Sequence, residues 1–63
     1  MSLGRNLTML LYDKKIEQRE LAKAAEVSEA MISRVIAGER DIGSEKLKKI
    51  ADYLEVSVDE LLR

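Results

Sequence analysis

Residues 16–38 read IEQRELAKAAEVSEAMISRVIAG, and this stretch decides the fold. Leu21, Ala22 and Ala25 fall three and four residues apart, as do Ile32, Val35 and Ile36. Each set therefore lines one face of a helix. The first of these helices is expected over 17–24. Glu20 there can reach back toward Glu17 as in a capping box, although Glu is a poor N-cap. Its small residues permit close approach of a neighbouring helix. After a tight turn at Glu26, Ser28 opens the second helix as its N-cap, and Gly38 stops it. Once Ile32, Val35 and Ile36 are turned inward, Glu29, Ala30, Ser33 and Arg34 fall on the opposite side.

Helices are expected on both flanks as well. Upstream, Leu3, Leu7, Leu10 and Leu11 form a stripe that predicts a helix over 3–14, with Ser2 as its cap and the basic pair Lys14-Lys15 at its end. Met1-Ser2-Leu3 also reads as an addition ahead of a start near Gly4. Downstream, the loop GERDIGS leads to a helix over 44–54 with Leu47, Ile50, Ala51 and Leu54 on one face. The run S-V-D-E from Ser57 forms a capping box for a last helix over 58–63. No repeat, linker or low-complexity segment divides residues 1–63, which are expected to form a single all-α domain.

At 63 residues without Cys or His, the chain has neither disulfides nor Cys/His metal ligands to stabilise it. Helix packing or dimerisation must serve instead. Thiol redox chemistry, zinc or haem ligation by Cys and His, and any His-based triad are excluded by composition. Carboxylate catalysis would need a concave pocket that so small a helical domain does not readily form, so no enzyme and no cofactor or small-molecule substrate is expected. No run reaches the roughly 18 apolar residues of a membrane span, and the start lacks the layout of a secretory leader. A cytoplasmic chain without membrane contact is the expectation. The net charge is only −1, with 11 Lys and Arg against 12 Asp and Glu. The basic footprint usual for nucleic-acid binding is therefore absent.

The segment 16–38, with GER after it and LKKIADYLEVSVDELL closing the chain, resembles the helix-turn-helix domains of the Cro and phage-repressor family, also called the xenobiotic-response-element family. The Q-x-x-L-A start, the V-S turn, I-S-R and the final V-S-x-D-E-L-L occur together and in order. The resemblance implies a five-helix, lambda-repressor-like DNA-binding domain with helices 2 and 3 as the helix-turn-helix. The third helix would then enter a major groove about 12 Å wide. It further implies that Gln18 donates to a phosphate and braces the third helix, that Glu29, Ala30, Ser33 and Arg34 are what base edges would meet, and that Ser28 belongs to the DNA-binding residues. Arg34 is the leading base reader, Arg19 and Arg40 are backbone clamps, and Lys14 is a weaker one. Family members often dimerise through the C-terminal end, where Val56, Val58, Leu61 and Leu62 exceed what one short helix needs to bury.

Several positions depart from the family pattern. Lys15, Glu26 and Glu55 stand at turns usually filled by Gly, so each is expected at positive φ, costing roughly 1 kcal/mol. Leu11 and Ile36 replace an Arg and a Glu that commonly form a partly buried ion pair, and both charges are lost together. Glu29 brings a negative charge to the start of the presumed reading helix, where it favours the helix dipole and caps the first turn; it can accept from cytosine N4, or equally be structural and face away from DNA. Met31 beside it reads as a core gap-filler. Two readings stay open: a sequence-specific DNA-binding transcriptional regulator acting as a homodimer on double-stranded DNA, or a protein-interaction module such as an antitoxin, anti-repressor or adaptor. The second draws on the acidic balance and on Glu26, Glu29 and Glu39 around the presumed DNA face.

Overall fold

A computed structural model of the chain describes residues 3–63. The described residues form five helices: α1 (Leu3–Lys14), α2 (Gln18–Ala25), α3 (Glu29–Ile36), α4 (Ser44–Leu54) and α5 (Val58–Leu62). They pack in a closed ring, with α1 against α3, α3 against α2, α2 against α4, α4 against α5, and α5 back against α1. Every helix contributes to the core inside this ring: Leu7 and Leu11; Leu21, Ala22 and Ala25; Ile32 and Val35; Leu47, Ile50, Ala51 and Leu54; and Leu61. Among the described residues no polar side chain is buried with them.

Helix starts follow side-chain chemistry. Ser28 Oγ accepts from Met31 N at 3.0 Å and Ser57 Oγ accepts from Glu60 N at 3.1 Å, each meeting one of the unpaired N–H groups of a first turn. Glu60 Oε1 returns to Ser57 N at 3.2 Å, closing the capping box expected there. Glu17 is the N-cap of α2 rather than its first residue, with φ −85° and ψ 154°, and Glu17 N donates to Glu20 Oε1 at 3.2 Å. The N-cap expected at Ser2 lies outside the described residues.

Helix ends follow one backbone pattern. Ile16 N donates to Leu11 O at 2.9 Å, Val27 N to Ala22 O at 3.0 Å, Glu39 N to Arg34 O at 2.9 Å and Val56 N to Ala51 O at 3.0 Å. These are the long bonds of Schellman motifs closing α1 to α4. The residue before each donor is left-handed: Lys15 at φ 57°, Glu26 and Glu55 at φ 60°, and Gly38 at φ 78°. The three positive-φ non-glycine residues are those expected from the departures from the family pattern. In each such turn the next residue, Ile16, Val27 or Val56, packs against the core, which is the hydrophobic contact that accompanies this motif. The α3 turn is followed by exposed Glu39 instead, and there the left-handed residue is Gly38. Glu55→Gly should raise stability by several tenths of a kcal/mol to about 1 kcal/mol, relief of positive φ outweighing the freer unfolded chain. A lower urea midpoint at unchanged slope would show that the Glu55 side chain holds the turn.

Two contacts that join distant elements have no signal in the sequence pattern. Asn6 Nδ2 donates to Leu61 O at 2.7 Å and Glu60 O at 3.4 Å, supplying a partner for the last carbonyls of α5 from the side of α1. A Cβ on Gly4 would collide with the carbonyl of Ile36, so α1 and the end of α3 approach as closely as backbones can. The Cα–H of Gly4 stands in that space, a contact that recurs where helices meet at a small residue. Leu11 is buried and Ile36 half-buried, and both border one shallow hollow, which fits an apolar replacement of an ion pair at that place.

Leu61 is corrected as a surface candidate. It is wholly buried in the core, so it cannot also meet a partner chain. Val56, Val58 and Leu62 are half-buried and packed on the core edge.

Candidate nucleic-acid interface

The outward side of α3 carries the residues expected to meet bases. Ile32 and Val35 are 0% and 3% exposed and fasten the helix inward. Glu29, Ala30, Ser33 and Arg34 are all exposed, as is Ser28 at the cap. Ser28, not Glu29, satisfies the first turn, so the Glu29 carboxylate has no capping hydrogen bond and acts there only through its charge. Met31 is half-buried against the core, the gap-filling place expected of it. Arg34 makes no ion pair among the described residues, and its guanidinium keeps its donors for an outside acceptor.

The start of α2 stands beside this face. Gln18 is its first residue, half-buried in a hollow bordered by Thr8, Leu11, Tyr12, Ile16 and Ile36. The side-chain amide forms no hydrogen bond among the described residues, so the bracing of α3 expected from it is not made. The contribution of α3 to that hollow is the apolar Ile36, which offers the amide no side-chain partner. Arg19 is exposed, and its Nη2 lies 3.3 Å from Glu17 Oε1. Both side chains remain about 70% exposed (73% and 69%), so the pair is worth little but partly occupies a presumed clamp. Arg40, in the loop after α3, borders a second hollow together with Arg5 of α1, a cation the sequence reading left out.

Glu26, at the turn between α2 and α3, has a partner that sequence reading also missed. Lys49 Nζ of α4 donates to Glu26 Oε1 at 2.8 Å. That hydrogen bond, with the charges of Lys49 and Lys46, holds the Glu26 carboxyl below the usual carboxylate range. The bond to Glu26 likewise raises Lys49 above its ordinary value, against an opposing effect of desolvation. The carboxylate at this turn is thus paired within the domain and is not a bare charge. A carboxyl whose folded pKa is lowered adds stability above its unfolded pKa and loses it as pH falls through the folded value. Lys49→Met should therefore melt below the parent chain at neutral pH, and the gap should close as the solution is acidified past the lowered Glu26 pKa. A gap independent of pH would mean that Lys49 acts by packing alone.

With this geometry, the sequence model of the helix-turn-helix family matches residues 9–61, spanning all of α2 to α4, the second half of α1 and most of α5. The chain belongs to the helix-turn-helix family of the Cro and phage-repressor type. Two solved regulators share its fold. The crystal structure of the clp gene regulator ClgR from Corynebacterium glutamicum superposes with a TM-score of 0.91 at 34% identity, over 97% of this chain and 65% of the ClgR chain. The chain thus spans 65% of the length of that relative. The restriction-modification controller protein C.AhdI from Aeromonas hydrophila gives a TM-score of 0.88 at 25% identity, over 95% of this chain and 91% of its own. No curated protein matches significantly. This helix-turn-helix domain is all-helical and lambda-repressor-like, and none of its described helices is long and apolar enough to cross a membrane.

Proposed function

We propose that this helix-turn-helix domain is a sequence-specific DNA-binding transcriptional regulator that acts as a homodimer on a palindromic operator. The observation that carries the proposal is α3: a short helix fastened by Ile32 and Val35 and presenting a continuous exposed face of Glu29, Ala30, Ser33 and Arg34. Such a face, projecting past the α2 start, suits insertion into a major groove, with α2 crossing the backbone. Arg34 then reads base edges, while Gln18, Arg19 and Arg40 hold phosphates. ClgR and C.AhdI, both regulators by name, support the regulatory role.

Size supports the dimer. The domain extends 23 × 22 × 19 Å, less than the roughly 34 Å between successive major-groove faces, so one copy reaches one half-site. The net charge is −1, acids offsetting the exposed cations, which leaves a single copy a small electrostatic contribution to affinity. Val56, Val58 and Leu62 supply the remaining apolar edge at the α5 end, and Met9 and Leu10 continue it across the hollow beside Val56. Selection from a random duplex pool should return approximate palindromes with half-sites about one helical turn apart. Recovery of asymmetric single sites only, with a monomer in sedimentation, would remove the dimer from the proposal.

The protein-interaction reading keeps one supporting observation, the acids Glu29 and Glu39 exposed at either end of α3. Salt separates the two readings, because phosphate contacts release counterions and make binding to random duplex fall steeply with ionic strength. Salt-independent or absent DNA binding would favour the interaction module.

A further inference from the structure

The most exposed large apolar side chain among the described residues is Tyr12, at 84%. It belongs to α1, outside the two helices of the motif, yet it borders the same hollow as Gln18 and the α3 residue Ile36. Tyr53, the other tyrosine, is half as exposed at 42%, and its hydroxyl reaches Glu20 Oε2 at a long 3.5 Å. The Tyr12 hydroxyl has no partner among the described residues. Folding gains little from so exposed a ring, since apolar stabilisation scales with the area removed from water.

We propose that Tyr12 is a DNA-backbone contact, its phenol donating to a phosphate next to the one held by Gln18. This rests on the DNA-binding reading above. When α3 enters the groove, the start of α2 lies against the sugar-phosphate backbone, and Gln18 with its hollow lies there too. Tyr12 lines that same hollow, so a backbone that reaches Gln18 passes close to Tyr12. The chemistry at the rim favours a neutral donor. Asp13 and Glu17 border the adjoining surface with Lys15, and their carboxylates oppose a phosphate while the phenol carries no charge to be cancelled. A tyrosine hydroxyl is among the ordinary side-chain donors to phosphate and holds register without reading sequence.

The test is titration of a labelled random duplex and of a selected site over a range of salt, using the full chain, Tyr12→Phe, Tyr12→Ala and Arg40→Ala. Tyr12→Phe should weaken both DNAs by the same factor, about three- to ten-fold, as expected for the net loss of one solvent-exposed hydrogen bond. Its salt slope should match the parent's, because a neutral donor releases no counterion, whereas Arg40→Ala should flatten the slope by about one unit. Tyr12→Ala should bind no better than Tyr12→Phe, and all variants should melt with the parent. A direct readout is available in Tyr53→Phe, where Tyr12 is the sole tyrosine in a chain without Trp. Its emission should change on addition of unlabelled duplex and saturate with binding. Parent-like affinity of Tyr12→Phe and Tyr12→Ala, or unchanged emission, overturns the Tyr12 assignment while leaving the DNA-binding reading intact. No binding by the parent chain overturns both, and loss on the selected site alone would make Tyr12 a reader of bases rather than of the backbone.

Discussion

Arg34→Ala should lower affinity for the selected operator by about 1–3 kcal/mol, roughly 5- to 150-fold, and relax the preference at one base pair. Arg34 stands on the exposed α3 face, in the last turn, with no ion pair among the described residues, and a guanidinium placed there can bind the N7 and O6 acceptors of guanine together. Gln18→Ala should differ in kind. In the proposed complex its amide meets a phosphate, a contact that fixes position and carries no base identity, so specific and random duplexes should weaken alike. Binding titrations on both DNAs, repeated on sites substituted one base pair at a time, measure the two effects. Equal losses on both DNAs for Arg34→Ala would reduce it to another backbone clamp and leave readout to Glu29, Ala30 and Ser33.

Gly4→Ala sets two physical effects against each other. Alanine is favoured over glycine by up to about 1 kcal/mol in a helix interior and by less in the first turn, where Gly4 stands, so propensity alone predicts a small gain. The new methyl, however, would occupy the space of the Ile36 carbonyl, which belongs to the backbone and cannot rotate away as a side chain does. Forcing such a contact costs typically about 1–3 kcal/mol. Packing should win, with a net loss of about 1–2 kcal/mol and a melting temperature lower by about 5–15 °C for a domain of this size. Because Ile36 closes α3, the displaced helix should also present Arg34 less well at temperatures where the variant is folded. An unchanged or higher melting temperature would show that α1 and α3 do not meet at this glycine.

These two residues show what a sequence discloses and what it withholds. The exposed face of α3 follows from the spacing of Ile32 and Val35, because a helix of fixed pitch assigns every neighbour a direction. Ser28, Ser57 and Gly38 announce helix limits through chemistry confined to a few residues. Lys15, Glu26 and Glu55 were legible only through the resemblance, since nothing in a Lys or Glu signals a left-handed turn. The apolar residues after them, Ile16, Val27 and Val56, carry the compensating local signal. Contacts between distant segments escaped. Asn6 reaching the last carbonyls of α5, Lys49 neutralising Glu26 and Gly4 admitting Ile36 depend on how helices come together. The bracing that the resemblance implies for Gln18 is likewise a contact between elements, and the α3 residue beside its hollow is the apolar Ile36. Leu61 was counted as surplus because a short helix was judged alone, without the α1 face that covers it.

The left-handed turns bear on how long a copy of the chain survives. Each of Lys15, Glu26 and Glu55 removes roughly 1 kcal/mol from a domain too small to hold a large margin. A ligand that binds only the folded form returns about 2.7 kcal/mol when present at a hundred times its Kd, close to the combined toll of the turns. Protease attack on transiently opened chains follows the open population when reclosing is fast. A copy seated on its operator is then expected to resist digestion that clears idle copies, measurable as slower proteolysis with operator than without. Turnover would thereby trim the pool toward the number of occupied sites, with backbone strain at helix ends serving as the clock.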